Sequence, residues 1–326
     1  MNALVQGALT RRDRQTNPAE MRADVLRGLG AKPKRLSSKY FYDARGSELF
    51  ERICEQPEYT LTRDELEIMR EHAAEIADAL GPDALLLEYG SGSGLKTRLL
   101  LRQLRTPVAY VPVEIAREAL SYSVAKLAAE FPRVEMLPVC ADFTRTIELP
   151  RPRRAARRTV VYFPGSTLGN FETSEALRLL RQMRVEMGAS GAALVGIDLK
   201  KDRVELEAAY NDAAGVTAEF TLNMLARFNR ELGADFDLAA FSHRARWNAL
   251  AGRIETHLVS ARAQQVRVDG QVFRFDSGEA MLVEYSCKYA PEEFAALVER
   301  AGLRVARTWE DALRRFSVQL LEPVEG

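Results

Sequence analysis

The sequence predicts an α/β protein: a mostly parallel sheet of seven strands covered by helices, with a second, α+β domain built from an N-terminal segment and a long insertion. Three observations carry this. From Leu85 onward, short apolar runs alternate with helix-like segments, the pattern of a parallel sheet with helices on both faces. The first run, Ala84–Gly94 (ALLLEYGSGSG), ends in an acid followed by Gly90, Gly92 and Gly94, as where a strand turns into a helix around a nucleotide-type ligand. The alternation then breaks between Lys200 and Val283 and resumes at Pro291, which marks an insertion.

In chain order, Leu85–Glu88 is the first strand, and Leu95–Arg105 is the helix opened by its loop. Glycine lacks a Cβ, so such a loop can turn tightly and bring backbone close to a ligand. Val108–Val113 is the second strand, ending at Glu114, and Ala116–Glu130 is a helix closed by Pro132. Val134–Val139 is the third strand, followed by Ala141-Asp142-Phe143. Thr159–Phe163 is the fourth, Ser174–Met187 a helix with Gly188 just past its end, and Ala192–Asp198 the fifth strand. Within the insertion, Val204–Ala213 and Phe220–Leu232 read as helices, and Arg253–Ala263 and Gln265–Phe275 as alternating, antiparallel strands. Pro291–Ala301 is a helix; Leu303–Trp309 and Phe316–Leu321 are joined so briefly that they are expected to pair antiparallel. The expected domains are 66–199 with 288–326, carrying the sheet, and 20–65 with 200–287, a cap; clefts between domains are common ligand sites.

At 326 residues the chain can bury a full core and hold two domains. Its 47% hydrophobic and 28% charged residues suit a soluble globular protein, and zero formal net charge gives no general pull toward nucleic acid or acidic lipid. The basic run Arg151–Arg158 reads as a solvated loop, with a phosphate contact as the alternative. Cys54, Cys140 and Cys287 are few and show no CxxC spacing, which suits a reducing cytoplasm. His72, His243 and His257 lack metal-ligand spacing, which argues against a zinc site and, more weakly, a Ser-His-Asp triad. No apolar stretch approaches the roughly 18 residues of a membrane span. The polar start, Met1–Pro18, lacks the apolar core of a signal peptide. The expectation is a cytoplasmic monomer acting on a small molecule, without metal, nucleic acid or membrane.

Two cofactors compete for the glycine loop. An NAD site also places glycines after the first strand and an acid about 20 residues later, a role open to Glu114 under either reading. Three features favour S-adenosylmethionine: Glu88 precedes the glycines; Gly90, Gly92 and Gly94 depart from GxGxxG spacing; and Asp142-Phe143 follows the third strand, where an acid and a ring can meet an adenine. A turn or cap is the plain structural role for Asp142. Seven strands closed by a hairpin match the layout of class I S-adenosylmethionine methyltransferases.

Longer segments are more specific. Lys39–Glu65 (KYFYDARGSELFERICEQPEYTLTRDE), Pro164–Phe171 (PGSTLGNF), DLKKD and AYNDAAGVTAEFTLNML within Asp198–Leu225, and Met281–Tyr289 (MLVEYSCKY) closely resemble the L-histidine Nα-methyltransferases of the ergothioneine pathway. The likeness runs from about Lys34 to the C-terminus. It implies that Gly90, Lys96, Glu114, Asp142 and Phe143, beside Glu88 and Gly92, hold S-adenosylmethionine, with S-adenosylhomocysteine as product. It implies that Tyr42, Tyr59, Asn170 and Tyr210 surround the amine and carboxylate of an amino acid, with Tyr59 nearer the side chain. Gly165 would offer backbone, Phe220 an apolar wall, and Glu284 and Ser286 a grip on the imidazole. The reaction implied is trimethylation of the α-amino group of L-histidine to the betaine hercynine.

The residue types suit that chemistry. A neutral amine attacks the methyl carbon of a sulfonium in line with the leaving thioether, which needs alignment more than a covalent nucleophile or metal. Asn170 can donate or accept through its amide, and Tyr42 and Tyr210 through their hydroxyls; Tyr42, or a water near Asn170, is a candidate to take the released proton. Glu284 and Ser286 together can read both ring nitrogens, and such a site rejects analogues that leave its polar groups unpaired. One departure stands out: the family commonly has Met where this chain has Thr256, so another acceptor such as tryptophan or tyrosine is the alternative. His257 adds a polar group of undetermined facing. From a different class, a catalytically silent S-adenosylmethionine-binding regulator is a further alternative.

Overall fold

The computed structural model describes residues 18–92 and 94–324; the polar segment 1–17 and Ser93 of the glycine loop lie outside the described residues. In chain order the helices are α1 (Pro18–Gly30), α2 (Ala44–Cys54), α3 (Leu61–Leu80), α4 (Leu95–Gln103), α5 (Arg117–Glu130), α6 (Thr173–Met187), α7 (Arg203–Ala209), α8 (Val216–Leu232) and α9 (Pro291–Glu299). The strands are β1 (Ala84–Tyr89), β2 (Ala109–Glu114), β3 (Glu135–Met136), β4 (Val139–Cys140), β5 (Arg158–Phe163), β6 (Ala192–Asp198), β7 (Phe241–Asn248), β8 (Arg253–Ser260), β9 (Gln264–Val268), β10 (Gln271–Phe275), β11 (Ala280–Cys287), β12 (Leu303–Glu310) and β13 (Phe316–Pro323). They form two compact units that divide between residues 60 and 61, 200 and 201, and 287 and 288. The first boundary falls at Thr60 rather than at 65, because Leu61–Leu80 is one unbroken helix with a buried apolar face.

The sheet unit, from 61 to 200 and from 288 onward, has the strand order β12-β13-β6-β5-β1-β2-β3. Strands β1, β2, β5 and β6 run parallel, and β13 joins β6 antiparallel and carries β12 as the closing hairpin. Strand β1 is buried at all six positions and β6 at all seven, as expected of strands covered on both faces. The expected third strand, 134–139, is not continuous: β3 and β4 pair with β2 as two separate two-residue pieces. Pro138 lies between them and has no N–H to give a ladder. The sheet therefore has eight strands in seven lanes. Leu87, Val111, Val161 and Val195 from four adjacent strands join Leu180 and Met183 of α6 and Phe294 of α9 in one core.

The basic run behaves as a set of structural ties. Arg154 pairs with Asp83 at 3.0 Å and donates to the Thr106 carbonyl, and Arg158 pairs with Glu322 at 3.1 Å and donates to the Ala79 carbonyl.

The insert unit holds α1, α2, α7, α8, a three-stranded antiparallel sheet in the order β11-β8-β7, and the β9-β10 hairpin. The expected helix 204–213 ends at Ala209, and α8 starts at Val216 after the left-handed Gly215, where Asp212 takes hydrogen bonds from the free Val216 and Thr217 amides of its first turn at 2.7 Å. The stretch 265–275 is a hairpin, not one strand: Asp269 (φ 49°) and Gly270 (φ 77°) take the left-handed pair of a two-residue turn. Strand β7 has no counterpart in the sequence expectations. Asp43 caps α2 by accepting from the Gly46 amide at 2.7 Å, and a Cβ at Gly46 would lie 1.7 Å from the Phe41 carbonyl oxygen.

Candidate active site

In the sheet unit, β1 leads into a loop whose glycines are all left-handed: Gly90 (φ 73°), Gly92 (φ 47°) and Gly94 (φ 69°), a region costly for other residues. The Gly90 amide donates to the Val113 carbonyl at 2.9 Å, which anchors the loop to the end of β2. Glu114, the last residue of β2, accepts from the amides of Ile115 (2.8 Å), Ala116 (3.2 Å) and Gly92 (3.3 Å). Burial raises its carboxyl above the usual range, and those three amides oppose the shift. Ser91, 5% exposed, has a buried hydroxyl with no protein partner. A glycine cradle, an acid at its rim and an unsatisfied hydroxyl fit a polar nucleoside ligand such as S-adenosylmethionine.

Asp142 and Phe143, the pair expected at an adenine, sit on the same unit. Phe143 stacks on Tyr89 with centroids 5.2 Å apart and rings 9° from parallel, and it meets Phe163 edge-on. Gln182 donates to the Phe143 carbonyl at 3.2 Å and the Tyr89 hydroxyl at 3.0 Å. Asp142 accepts from the Thr144 amide (3.0 Å) and hydroxyl (2.6 Å), so it does serve as a turn residue, whatever else it binds.

Glu88, expected beside the cofactor, lies inside the protein at the end of β1. It is 1% exposed, and its Oε2 accepts from the hydroxyls of Thr97 (2.7 Å) and Tyr110 (2.6 Å). These bonds tie the end of β1 to α4 and β2 and brace the base of the loop. Burial pushes its carboxyl up to about 8, against the opposing pull of Tyr110, Thr97 and Lys96. The folded protein thus holds a proton that the unfolded chain releases above the ordinary 4.5, so this contribution to stability is full below pH 4.5 and falls as pH rises toward 8. Glu88→Gln, neutral at every pH, is expected to flatten that decline by a few kcal/mol in urea melts at about pH 5 and 8. Parallel stability curves for the two proteins would refute the assignment.

Lys96, on the first turn of α4, pairs with Glu65, and the Gly165 amide donates to both oxygens of the same carboxylate, at 3.1 and 3.0 Å. Gly165 (φ 77°) and Ser166 (φ 59°) form a left-handed pair that leads into a short 3-10 turn, Thr167–Asn170, ending at the half-buried Asn170. Sequence reasoning missed Glu65. Its signal is an acid four residues from both Leu61 and Met69, on the apolar face of its helix.

In the insert unit an aromatic group forms around Phe220, 3% exposed, which meets Phe41 at 4.7 Å, Tyr42 at 5.7 Å and Phe50 at 6.1 Å. Tyr59 lies edge-on to Phe50 and to Tyr210. Its hydroxyl is held well above its ordinary value by burial first, then by Tyr210, Cys54, Tyr42 and Glu284 nearby. The Tyr210 hydroxyl is 2.7 Å from the Ser286 hydroxyl, which joins two groups expected at opposite ends of an amino acid. On the sheet, Thr256 stands directly opposite Glu284 and Ala245. Thr256 is 1% exposed and its hydroxyl has no protein partner. The two-residue alternation of β8 puts Thr256 on the covered face and turns His257 to the other. Burial lowers the imidazole of His243, also missed, below its ordinary range, against the opposing pull of the Tyr210 carbonyl and Asp212; its Nε2 donates to that carbonyl at 2.7 Å, and its Nδ1 faces the Thr221 hydroxyl. The structure thus gathers Tyr42, Tyr59, Tyr210, Phe220, Glu284 and Ser286 in the insert unit, and Gly165 and Asn170 in the sheet unit.

A glycine turn after the first strand of a parallel sheet, an acid closing the second, and a terminal antiparallel hairpin define a class I S-adenosylmethionine-dependent methyltransferase. Residues 21–323 match the family described as "Histidine-specific methyltransferase, SAM-dependent", and the chain belongs to that family. It is 43% identical over 305 residues to the histidine N-alpha-methyltransferase of Mycolicibacterium smegmatis, spanning 92% of this chain and 94% of that protein. It is 42% identical over 306 residues to the enzyme of that name from Mycobacterium tuberculosis, over 92% and 94% of the two chains. Ergothioneine biosynthesis protein 1 of Neurospora crassa is 30% identical over 289 residues, 85% of this chain but 32% of that longer protein. Among the described residues no helix is long and apolar enough to cross a membrane.

Proposed function

We propose that the protein transfers methyl groups from S-adenosylmethionine to the α-amino nitrogen of L-histidine, three times in succession, giving the betaine hercynine. The observation that carries the reading is the polar group on the insert sheet. Glu284, half-buried, and the buried Ser286 and Tyr210 would provide an acceptor for an imidazole N–H and hydroxyls for the other ring nitrogen.

Gly90, Gly92, Lys96, Glu114, Asp142 and Phe143 are assigned to the methyl donor, with Glu88 bracing their loop from below. Bound there, the sulfonium supplies an electrophilic methyl and departs as a thioether. Tyr42 and Asn170 are assigned to the amine, which must present a neutral lone pair in line with that methyl. Each transfer leaves an ammonium that must lose its proton before the next, and Tyr42 or a water held by Asn170 is the assigned acceptor. Tyr59 and Tyr210 frame the amino acid, Phe220 walls it, and the Gly165 backbone meets its carboxylate. The reading takes the protein as a cytoplasmic monomer acting on a free amino acid, without nucleic acid, membrane or metal.

The unpartnered Thr256 hydroxyl favours a second reading, in which the acceptor is another aromatic amino acid. One experiment separates the two. Protein and S-adenosylmethionine are incubated with each proteinogenic amino acid in turn, and products are resolved by mass. Gains of one, two and three methyl groups on histidine alone are the expected result. Methylation of tryptophan or tyrosine instead would transfer the assignment to the second reading, and no product with any amino acid would overturn both.

A further inference from the structure

Glu65 is fully buried, on the apolar face of α3. A carboxylate in such a place is strongly unfavourable unless it is paired and hydrogen-bonded. Its partners come from two distant segments: the Lys96 ammonium at the start of α4, and the Gly165 amide, which reaches both of its oxygens. The strand beneath makes room for it. Strand β6 is apolar except at its end, yet holds Gly196 in its second half, where a Cβ would lie 2.8 Å from Glu65 Oε1 and 3.0 Å from the Phe316 ring. Glycine weakens a strand interior and marks a close approach, and here the approaching group is this carboxylate.

We propose that Glu65 is a positioning residue that sets the Lys96 ammonium and the Gly165 turn together, so that the groups assigned to the methyl donor and to the amino acid share one anchor. This rests on the roles given above to Lys96 and Gly165. A lysine side chain has four rotatable bonds and three donors, so one fixed acceptor leaves its other N–H groups aimed in a defined direction. The turn needs a hold of its own, because Gly165 and Ser166 are consecutive left-handed residues and Ser166 is strained there. One doubly accepting carboxylate, out of reach of screening salt, supplies both.

The test compares the full-length wild type with Glu65→Gln, Lys96→Met and the double variant. Calorimetry measures S-adenosylhomocysteine binding, kinetics gives KM for histidine, and thermal melting monitors folding. Glu65→Gln is expected to weaken S-adenosylhomocysteine binding about tenfold or more and to raise KM for histidine, while remaining folded. The double variant is expected to bind no more weakly than Lys96→Met, because both changes act through one ammonium. Losses that add in the double variant, or Glu65→Gln with unchanged binding and KM, would overturn the proposal. Glu65→Asp keeps the charge but shortens its reach, and carries the same comparison if the Gln variant does not fold. Wild-type binding of S-adenosylhomocysteine with an unaffected Lys96→Met would locate the failure in the role of Lys96.

Discussion

Replacing Glu284 by alanine is expected to raise KM for histidine by about a hundredfold and to leave S-adenosylhomocysteine binding within about twofold of the wild type. The magnitude follows from the proposed hydrogen bond between the half-buried Glu284 carboxylate and an imidazole N–H, which would be worth about 2–3 kcal/mol, each 1.4 kcal/mol being a factor of ten. The separation of effects follows from placement. Glu284 belongs to β11 of the insert unit, whereas the glycine loop, Glu114 and Asp142 belong to the sheet unit. Loss of a contact made equally in ground and transition states raises KM while kcat changes less. Glu284→Gln retains a carbonyl acceptor and is expected to recover part of the loss. Asp142→Ala is expected to show the opposite pattern, with weaker cofactor binding and a nearly unchanged KM for histidine. Steady-state kinetics and calorimetry check all three variants. Equal loss of both ligands on Glu284→Ala would mean general damage or a wrong assignment.

The parts of the fold legible in the sequence are those whose physics is local. Runs such as ALLLEY and AALVGID announce strands buried on both faces, and three closely spaced glycines announce the left-handed turn that follows the first. Strand β7 is not legible in this way. Its inward positions are Phe241, His243, Ala245 and Trp247, and a histidine and an alanine among arginines blur the alternation. The broken third lane carries its cause openly at Pro138, and the Asp269-Gly270 pair is the ordinary mark of a hairpin, although the flanking alternation reads as continuous. In the candidate site, the motifs point to Tyr210 and Ser286 separately, but only folding brings their hydroxyls together. Glu65 and His243 are harder still. Each acts through partners far along the chain, Lys96 and Gly165 for one, Tyr210 and Thr221 for the other, and no local spacing encodes such pairings. A strip of sequence shows a buried acid or a covered histidine only as an interruption of an apolar face.

The largest loss of stability is expected from the ion pair between Lys288 and Asp198. Both side chains are fully buried, with Nζ and Oδ2 2.5 Å apart. They stand within two residues of where the chain leaves the sheet unit after 200 and returns to it at 288. Backbone bonds fasten the same place: the Tyr289 amide donates to the Asp198 carbonyl and the Lys200 amide to the Tyr289 carbonyl, each at 3.1 Å, while the Asp198 amide donates to the Ser166 hydroxyl at 2.9 Å. Lys288→Met keeps the volume but leaves a carboxylate without its counter-charge in the interior, which costs about 3–5 kcal/mol. For a unit of this size that lowers the melting temperature by roughly 10 °C. The Met variant is expected to regain most of the loss when Asp198 is also replaced by leucine, because an apolar pair has no charge to desolvate. Scanning calorimetry of the two variants decides the matter. A fall of less than about 2 °C for Lys288→Met would show that water reaches the pair or that the carboxyl is neutral without its partner, since desolvation alone accounts for a penalty of the expected size. A double variant no better than the single would show instead that the ammonium is needed for its geometry, as the pin that holds the turn after β6 against the chain returning from β11.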